Sequence, residues 1–264
     1  MRFRFQRKYL CIPFALFLVL FVILPILMII YYAFTDVSGN FTLDSFISFF
    51  SSTAKLNVLI NSLMFSILNT IICLAIGYPV AFLLANKKYN KNGVLVWLFV
   101  TPMWINFVLR TWATRDVLTW MGISGGTNPY LATMIGLVYN YLPFVILPLY
   151  NVMLKLDKSQ IEAAINLGCN RIQVFTKSII PQSIPGIVSA SLMVFMPTMS
   201  SYVISDVLSE GKITLFGNSI YLSFTQSQWG EGSFMAMLML VIIGVSMLLT
   251  SNYTEKDEGR SSKW

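Results

Sequence analysis

Long apolar runs alternate with short polar segments along the chain, and the length of the runs predicts helices that cross a membrane. A spanning helix needs about 20 mostly apolar residues. Six runs qualify: residues 10–34, 58–85, 94–112, 131–154, 184–204 and 234–250. The pattern predicts an all-α membrane protein, one transmembrane domain over residues 1–264, with six spanning helices. Arg2, Arg4, Arg7 and Lys8 precede the first run, as in a signal peptide. That run is too long for a signal h-region and no small-x-small cleavage site follows it, so it is expected to stay as an uncleaved span. Pro25, Pro79, Pro102, Pro143, Pro148 and Pro197 fall inside runs, where proline kinks a helix and frees carbonyls toward a cavity. Residues 252–264 form a polar tail expected to be mobile. No internal repeat is evident.

The charges between the runs orient them. Cytoplasmic loops carry the excess of Lys and Arg. With the N-terminus inside, only Lys55, Arg110, Arg115 and Lys212 of the 18 Lys and Arg fall outside. Six acids share that outer side: Asp36, Asp44, Asp116, Asp206, Glu210 and Glu231. Both termini are therefore expected in the cytoplasm, with residues 155–181 as a cytoplasmic loop between the fourth and fifth runs.

Composition agrees. Of the 264 residues, 56% are hydrophobic and 11% charged, against about 25% charged in soluble domains. The net charge of +7 is spread between runs rather than gathered on a nucleic-acid-binding face. Histidine is absent, which removes His metal ligands and a His general base. Cys11, Cys73 and Cys169 have no metal-ligand spacing. No cofactor or metal site is expected on this chain.

The loop reads EAAINLGCNRIQVFTKSIIP from Glu162 to Pro181. Its first half puts Ile161, Ile165 and Leu167 near one helical face, and Glu162 and Asn166 at i,i+4 spacing. Gly168 is placed to end that helix in a left-handed turn. A second short helix is expected from Asn170 to Ile179, stopping before Pro181. Two short helices joined by a turn make a knob that fits a partner's groove; a solvated connector is the other reading.

Glu162-Ala163-Ala164, then Gly168, then the apolar residues ending at Pro181, resemble the EAA loop of bacterial ATP-binding-cassette importer permeases. The family pattern carries an aliphatic residue where this chain has Ser178, and Leu where it has Ile180. Asn140-Tyr141-Leu142-Pro143-Phe144, Leu109-Arg110-Thr111-Trp112 and Ser201-Tyr202-Val203-Ile204-Ser205-Asp206 are similar to segments of polyamine permeases. The likeness, to the first permease subunit of spermidine/putrescine importers, covers nearly the whole chain.

The resemblance implies a type I importer permease of the bacterial cytoplasmic membrane, with no catalysis of its own. It implies a second homologous permease, two cytoplasmic ATPase subunits that bind ATP and Mg, and an extracellular or periplasmic binding protein. It implies that Glu162, Ala163, Ala164, Gly168 and Pro181 form the coupling loop docked on an ATPase. The chain itself lacks a Walker A pattern: Gly211-Lys212 is followed by Ile213.

A polycation's path calls for carboxylates and aromatic faces. Asp206 and Glu210 are four apart near the outer end of the fifth run, so on one helix they share a face; the other reading is a surface pair in an external loop. Trp104, Tyr139, Tyr141 and Tyr202 are candidates for the path or for the membrane interface. Asn106 and Asn140 serve packing between spans or the substrate. Arg110 would repel a polyamine: it pairs with Asp116, pairs with a partner subunit, or snorkels. Permeases for oxyanions, phosphonates or chelated iron share parts of these motifs. An anion path calls for Arg or Lys within spans, which only Arg110 approaches. An ion-coupled secondary carrier predicts repeats that are not evident. A membrane enzyme lacks a nucleophile–base set.

Overall fold

The computed structural model describes residues 11–36, 38–87, 90 and 93–261, with side chains described up to residue 250. Arg2, Arg4, Arg7, Lys8, Lys88, Lys91 and Lys263, used above to orient the chain, lie outside the described residues.

The described residues form eleven helices. They are α1 (Ile12–Ala33), α2 (Asp44–Ser51), α3 (Thr53–Ala85), α4 (Val94–Trp104), α5 (Phe107–Trp120), α6 (Pro129–Met153), α7 (Lys158–Asn166), α8 (Arg171–Met199), α9 (Val203–Ser209), α10 (Phe216–Thr225) and α11 (Trp229–Ser261). Helices α1, α3, α6, α8 and the Trp229–Thr250 part of α11 are long and apolar enough to cross a membrane. In hydrocarbon every backbone group needs an internal partner, and a continuous helix provides it.

Several expected boundaries are corrected. The third run, 94–112, is not one helix: α4 and α5 meet at a 96° bend. Pro102 lies in a final 3-10 turn, Ile105 is extended, and the Asn106 side chain accepts from Val108 N–H at 2.8 Å to start α5 afresh. A local cap thus replaces the helical bonds lost at the break. The fifth span does not begin at residue 184 or reach 204: α8 runs unbroken from Arg171 to Met199, and Ile204 belongs to α9. The separate short helix expected before Pro181 is the base of this rod. Pro181 is tolerated because it follows a widened π turn, Phe175–Ile179, at the start of the next α-helical segment. The polar tail is helical as far as Ser261, in keeping with the helix-forming Glu, Lys and Arg within it. Helices α3 and α11 also start earlier than their apolar runs, at Thr53 and Trp229.

The chain divides into two compact units: residues 1–57 with 219–242, and residues 58–218 with 243–264. In the first, Phe49 and Phe234 are buried with ring centroids 5.6 Å apart, and Lys55 Nζ meets Glu231 Oε2 at 2.7 Å. The second holds the candidate sites. Its core packs Cys73 and Ala81 of α3 against Val145 and Leu149 of α6 and Ala190 and Val194 of α8. Small residues let these helices close up: a Cβ on Gly77 would come within 2.6 Å of Val145, and one on Gly186 within 2.8 Å of Val152. Polar groups bridge the same helices. Asn69 donates to Thr198 at 2.8 Å, and Tyr78 and Ser183 share a hydrogen bond of 2.8 Å.

Candidate functional site

The loop around Glu162 is built from two capped helix ends. The Asp157 carboxylate accepts from Ser159 N–H at 2.9 Å and starts α7. The helix closes in a Schellman arrangement: Gly168 N–H donates to Ile165 O at 2.9 Å, and Cys169 N–H to Ala164 O at 3.1 Å. Gly168 has φ +80° and stands in open space. A capping box then starts α8: Gln173 N–H donates to Asn170 Oδ1 at 2.8 Å, and Asn170 N–H to Gln173 Oε1 at 2.9 Å.

The two caps turn side chains outward. Glu162 and Ala163 are exposed, Ala164 is half-buried and Pro181 is exposed on α8. Glu162 has no hydrogen bond or ion pair among the described residues, so its spacing from Asn166 produces no bond. Ile165, Leu167 and Ile172 are exposed apolar residues, Leu167 with 85% of its surface free. They flank the turn and leave an uncovered apolar patch beside a free carboxylate.

The loop is tied to the spans at two points. Asp157 N–H donates to Gln182 Oε1 at 2.9 Å, and Gln182 Nε2 reaches Ser178 Oγ at 3.2 Å. Phe175 stands edge-on to Tyr78 and Phe82 of α3, at 5.7 and 5.8 Å. Sequence reasoning did not find Gln182, Phe175, Asp157 or the Asn170–Gln173 box as loop elements. The Asn-x-x-Gln spacing was the available signal for the box.

The candidate path residues do not form one cluster. Trp104, Asn106, Arg110, Asn140 and Tyr141 line a pocket of about 430 Å³. Tyr139 lines a second pocket of about 680 Å³, with Arg110 shared between the two. The Arg110 guanidinium carbon lies 5.8 Å from the Tyr139 ring centre. Tyr141 donates to Pro197 O at 3.0 Å. Tyr202 is exposed and lines neither pocket. Asp206 and Glu210 are exposed, but they do not share a helical face. Met199 ends α8, Asp206 sits in α9, and Glu210 leaves that helix at φ 54°. A shared i,i+4 face requires an unbroken helix, and α9 stops at Ser209.

No family model matches the chain. Along its sequence it is 33% identical over 253 residues to the spermidine/putrescine transport system permease protein PotB of Escherichia coli strain K12, covering 88% of this chain and 92% of that protein. It is 34% identical over 263 residues to the PotB protein of Haemophilus influenzae, covering 92% and 91%. The chain belongs to this permease family. The permease is a multi-pass protein of the bacterial cytoplasmic membrane. Its fold is that of importer permeases: a bacterial ABC transporter involved in the import of the acidic polysaccharide alginate gives a TM-score of 0.73 at 15% identity over 94% of both chains. The MetNI methionine ABC transporter gives 0.58 at 17% identity, over 78% of this chain and 98% of that one.

Proposed function

We infer that the permease is a membrane subunit of an ATP-driven importer, moving polyamines such as spermidine and putrescine inward by alternating access. The observation that carries this is the 33% identity to PotB sustained over 253 residues. The fold alone leaves cargo open, since its solved neighbours serve alginate and methionine.

In this reading the permease pairs with a second, homologous permease. Two cytoplasmic ATPase subunits bind ATP and Mg, and a binding protein outside the cell delivers cargo; the permease itself carries no cofactor and no catalytic group. Glu162, Ala163, Ala164 and Gly168 are the docking surface for one ATPase. Exposed Ile165, Leu167 and Ile172 suit a partner's apolar groove. Glu162 supplies a charge with no partner among the described residues. Closure of the ATPase pair then moves α7, and two features support transmission inward. The Gln182 bond ties the start of α7 to α8. Helix α8 carries the second half of the loop, Pro181 included, on the same rod as Ala190 and Val194 of the core. A rod of 29 residues is about 43 Å long, enough to carry a tilt at the loop across the membrane.

Cargo recognition is assigned to the half-open pocket with Trp104 and Tyr141, whose aromatic faces suit ammonium groups. Tyr139 and Tyr202 belong to its surroundings, and Asp206 and Glu210 to an outer approach that attracts cations. The test is ATP-dependent uptake of radiolabelled spermidine and putrescine by the assembled complex in proteoliposomes, with and without Glu162→Ala. Uptake that needs ATP and falls at least tenfold in the inserted variant is the expected result. Uptake of neither polyamine by the wild-type complex refutes the cargo. Uptake by this chain alone, without ATPase subunits, refutes the coupling.

A further inference from the structure

Arg110 is 8% exposed and Asn140 2% exposed. Among the described residues, Arg110 Nε and Asn140 Oδ1 are two of the three buried side-chain polar atoms that lack a hydrogen-bond partner. Both residues line the 430 Å³ pocket with Trp104, Asn106, Tyr141 and Phe144. A buried cation and a buried acceptor, both unsatisfied, are costly at membrane depth unless something else completes them.

The described residues do not complete them. Asp116, six positions on from Arg110, forms no ion pair with it, and the only ion pair among the described residues joins Lys55 to Glu231. The guanidinium carbon lies 5.8 Å from the Tyr139 ring centre, and its Nε is the buried atom left without a partner. A cationic cargo cannot complete it, since like charges repel. A bare phosphate would satisfy Arg110 but offers only acceptors, so Asn140 Oδ1 would face an anion; a lipid headgroup with hydroxyls is the competing occupant, which added phosphatidylglycerol separates in the test. The site asks for a carboxylate with a hydrogen-bond donor beside it.

We propose that the pocket formed by Arg110 and Asn140 receives an acidic side chain of the second membrane subunit, whose carboxylate accepts from Arg110 Nε while a neighbouring hydroxyl or amide donates to Asn140 Oδ1. The pair would fix the register of the two membrane subunits. It would also neutralise the one fixed positive charge lining the pocket assigned to cargo, and to that extent it rests on the importer reading. Removing one member of a buried pair strands the other charge.

The test uses the complex co-produced with its second membrane subunit and purified through a tag on the permease. Readouts are the second subunit retained and the melting temperature of the complex, each with and without added phosphatidylglycerol. Arg110→Gln and Arg110→Glu are expected to weaken association by about a hundredfold or more. Reversing one intramembrane acid of the second subunit to Arg is expected to restore Arg110→Glu. Arg110→Lys keeps the charge but loses the Nε donor, and is expected to weaken retention less; it carries the test if the other two fail to reach the membrane. Wild-type retention by any inserted variant overturns the proposal, as does failure of every single reversal to rescue. A defect cured by the anionic lipid assigns the site to a headgroup and also overturns it. Spermidine uptake by the wild-type complex is measured in the same preparation. Its failure would refute the cargo while leaving the association result intact.

Discussion

Replacing Gly168 isolates backbone conformation from every other property of the loop from Glu162 to Pro181. Its φ of +80° lies in the left-handed region, and a Cβ built there meets nothing within 4 Å. No clash, cavity or lost side-chain bond accompanies a substitution, so the whole effect is conformational. An ordinary L-residue pays roughly 1–2 kcal/mol in this region, while Asn tolerates it better because its side chain bonds locally. If α7 docks on an ATPase only with the turn intact, Gly168→Ala weakens docking about 5- to 30-fold, by RT ln of that ratio. Gly168→Val, β-branched, loses more, and Gly168→Asn loses least. The assay is titration of purified ATPase subunit onto the membrane pair in nanodiscs, followed by ATP-dependent uptake. The melting temperature should hold within the scatter of a surface substitution, since no core contact changes. Equal losses for Asn and Ala, or full affinity for Val, would mean that the turn at residue 168 does not govern docking.

Two further outcomes are expected. Leu167→Asp with Ile172→Asp charges the exposed patch without touching the core, so ATPase association should fall at least tenfold in the same titration while the permease inserts and melts as before. Asn69→Ala removes the 2.8 Å bond to Thr198 between α3 and α8; interhelical bonds of this kind contribute about 0.6 kcal/mol and at most about 1.7, so a small drop in melting temperature with uptake retained is expected.

The apolar runs made most spans legible, because a membrane imposes length and hydrophobicity directly on the sequence. The turn conformation at Gly168 was legible for a similar reason: few residues accept a left-handed φ. What stayed hidden depended on partners distant in sequence or on competing local bonds. Pro102 predicts a kink, but the break needs Asn106 to cap a new helix. Pro181 predicts a helix end, yet the adjacent π turn accommodates it. Asp206 and Glu210 have the spacing of a helical pair; the left-handed backbone at Glu210 separates them. Sequence leaves Arg110 open between Asp116, a partner subunit and snorkelling; that Asp116 does not pair with it appears only once the described side chains are placed.

The continuity of α8 has a bearing on how such a chain can change length. The loop's second half and the membrane-crossing helix share one set of backbone bonds from Arg171 to Met199, so the two ends are in fixed rotational phase. Each residue advances a helix by about 100°. One inserted residue near Ile184 would therefore swing the loop's exposed apolar patch about a quarter of the way round relative to the core face at Ala190 and Val194, with every side chain still present. Seven residues, close to two full turns, would return the phase but lengthen the rod by about 10 Å. Length variation is thus barred from this rod and left to joints such as 121–128, where no helix spans the change.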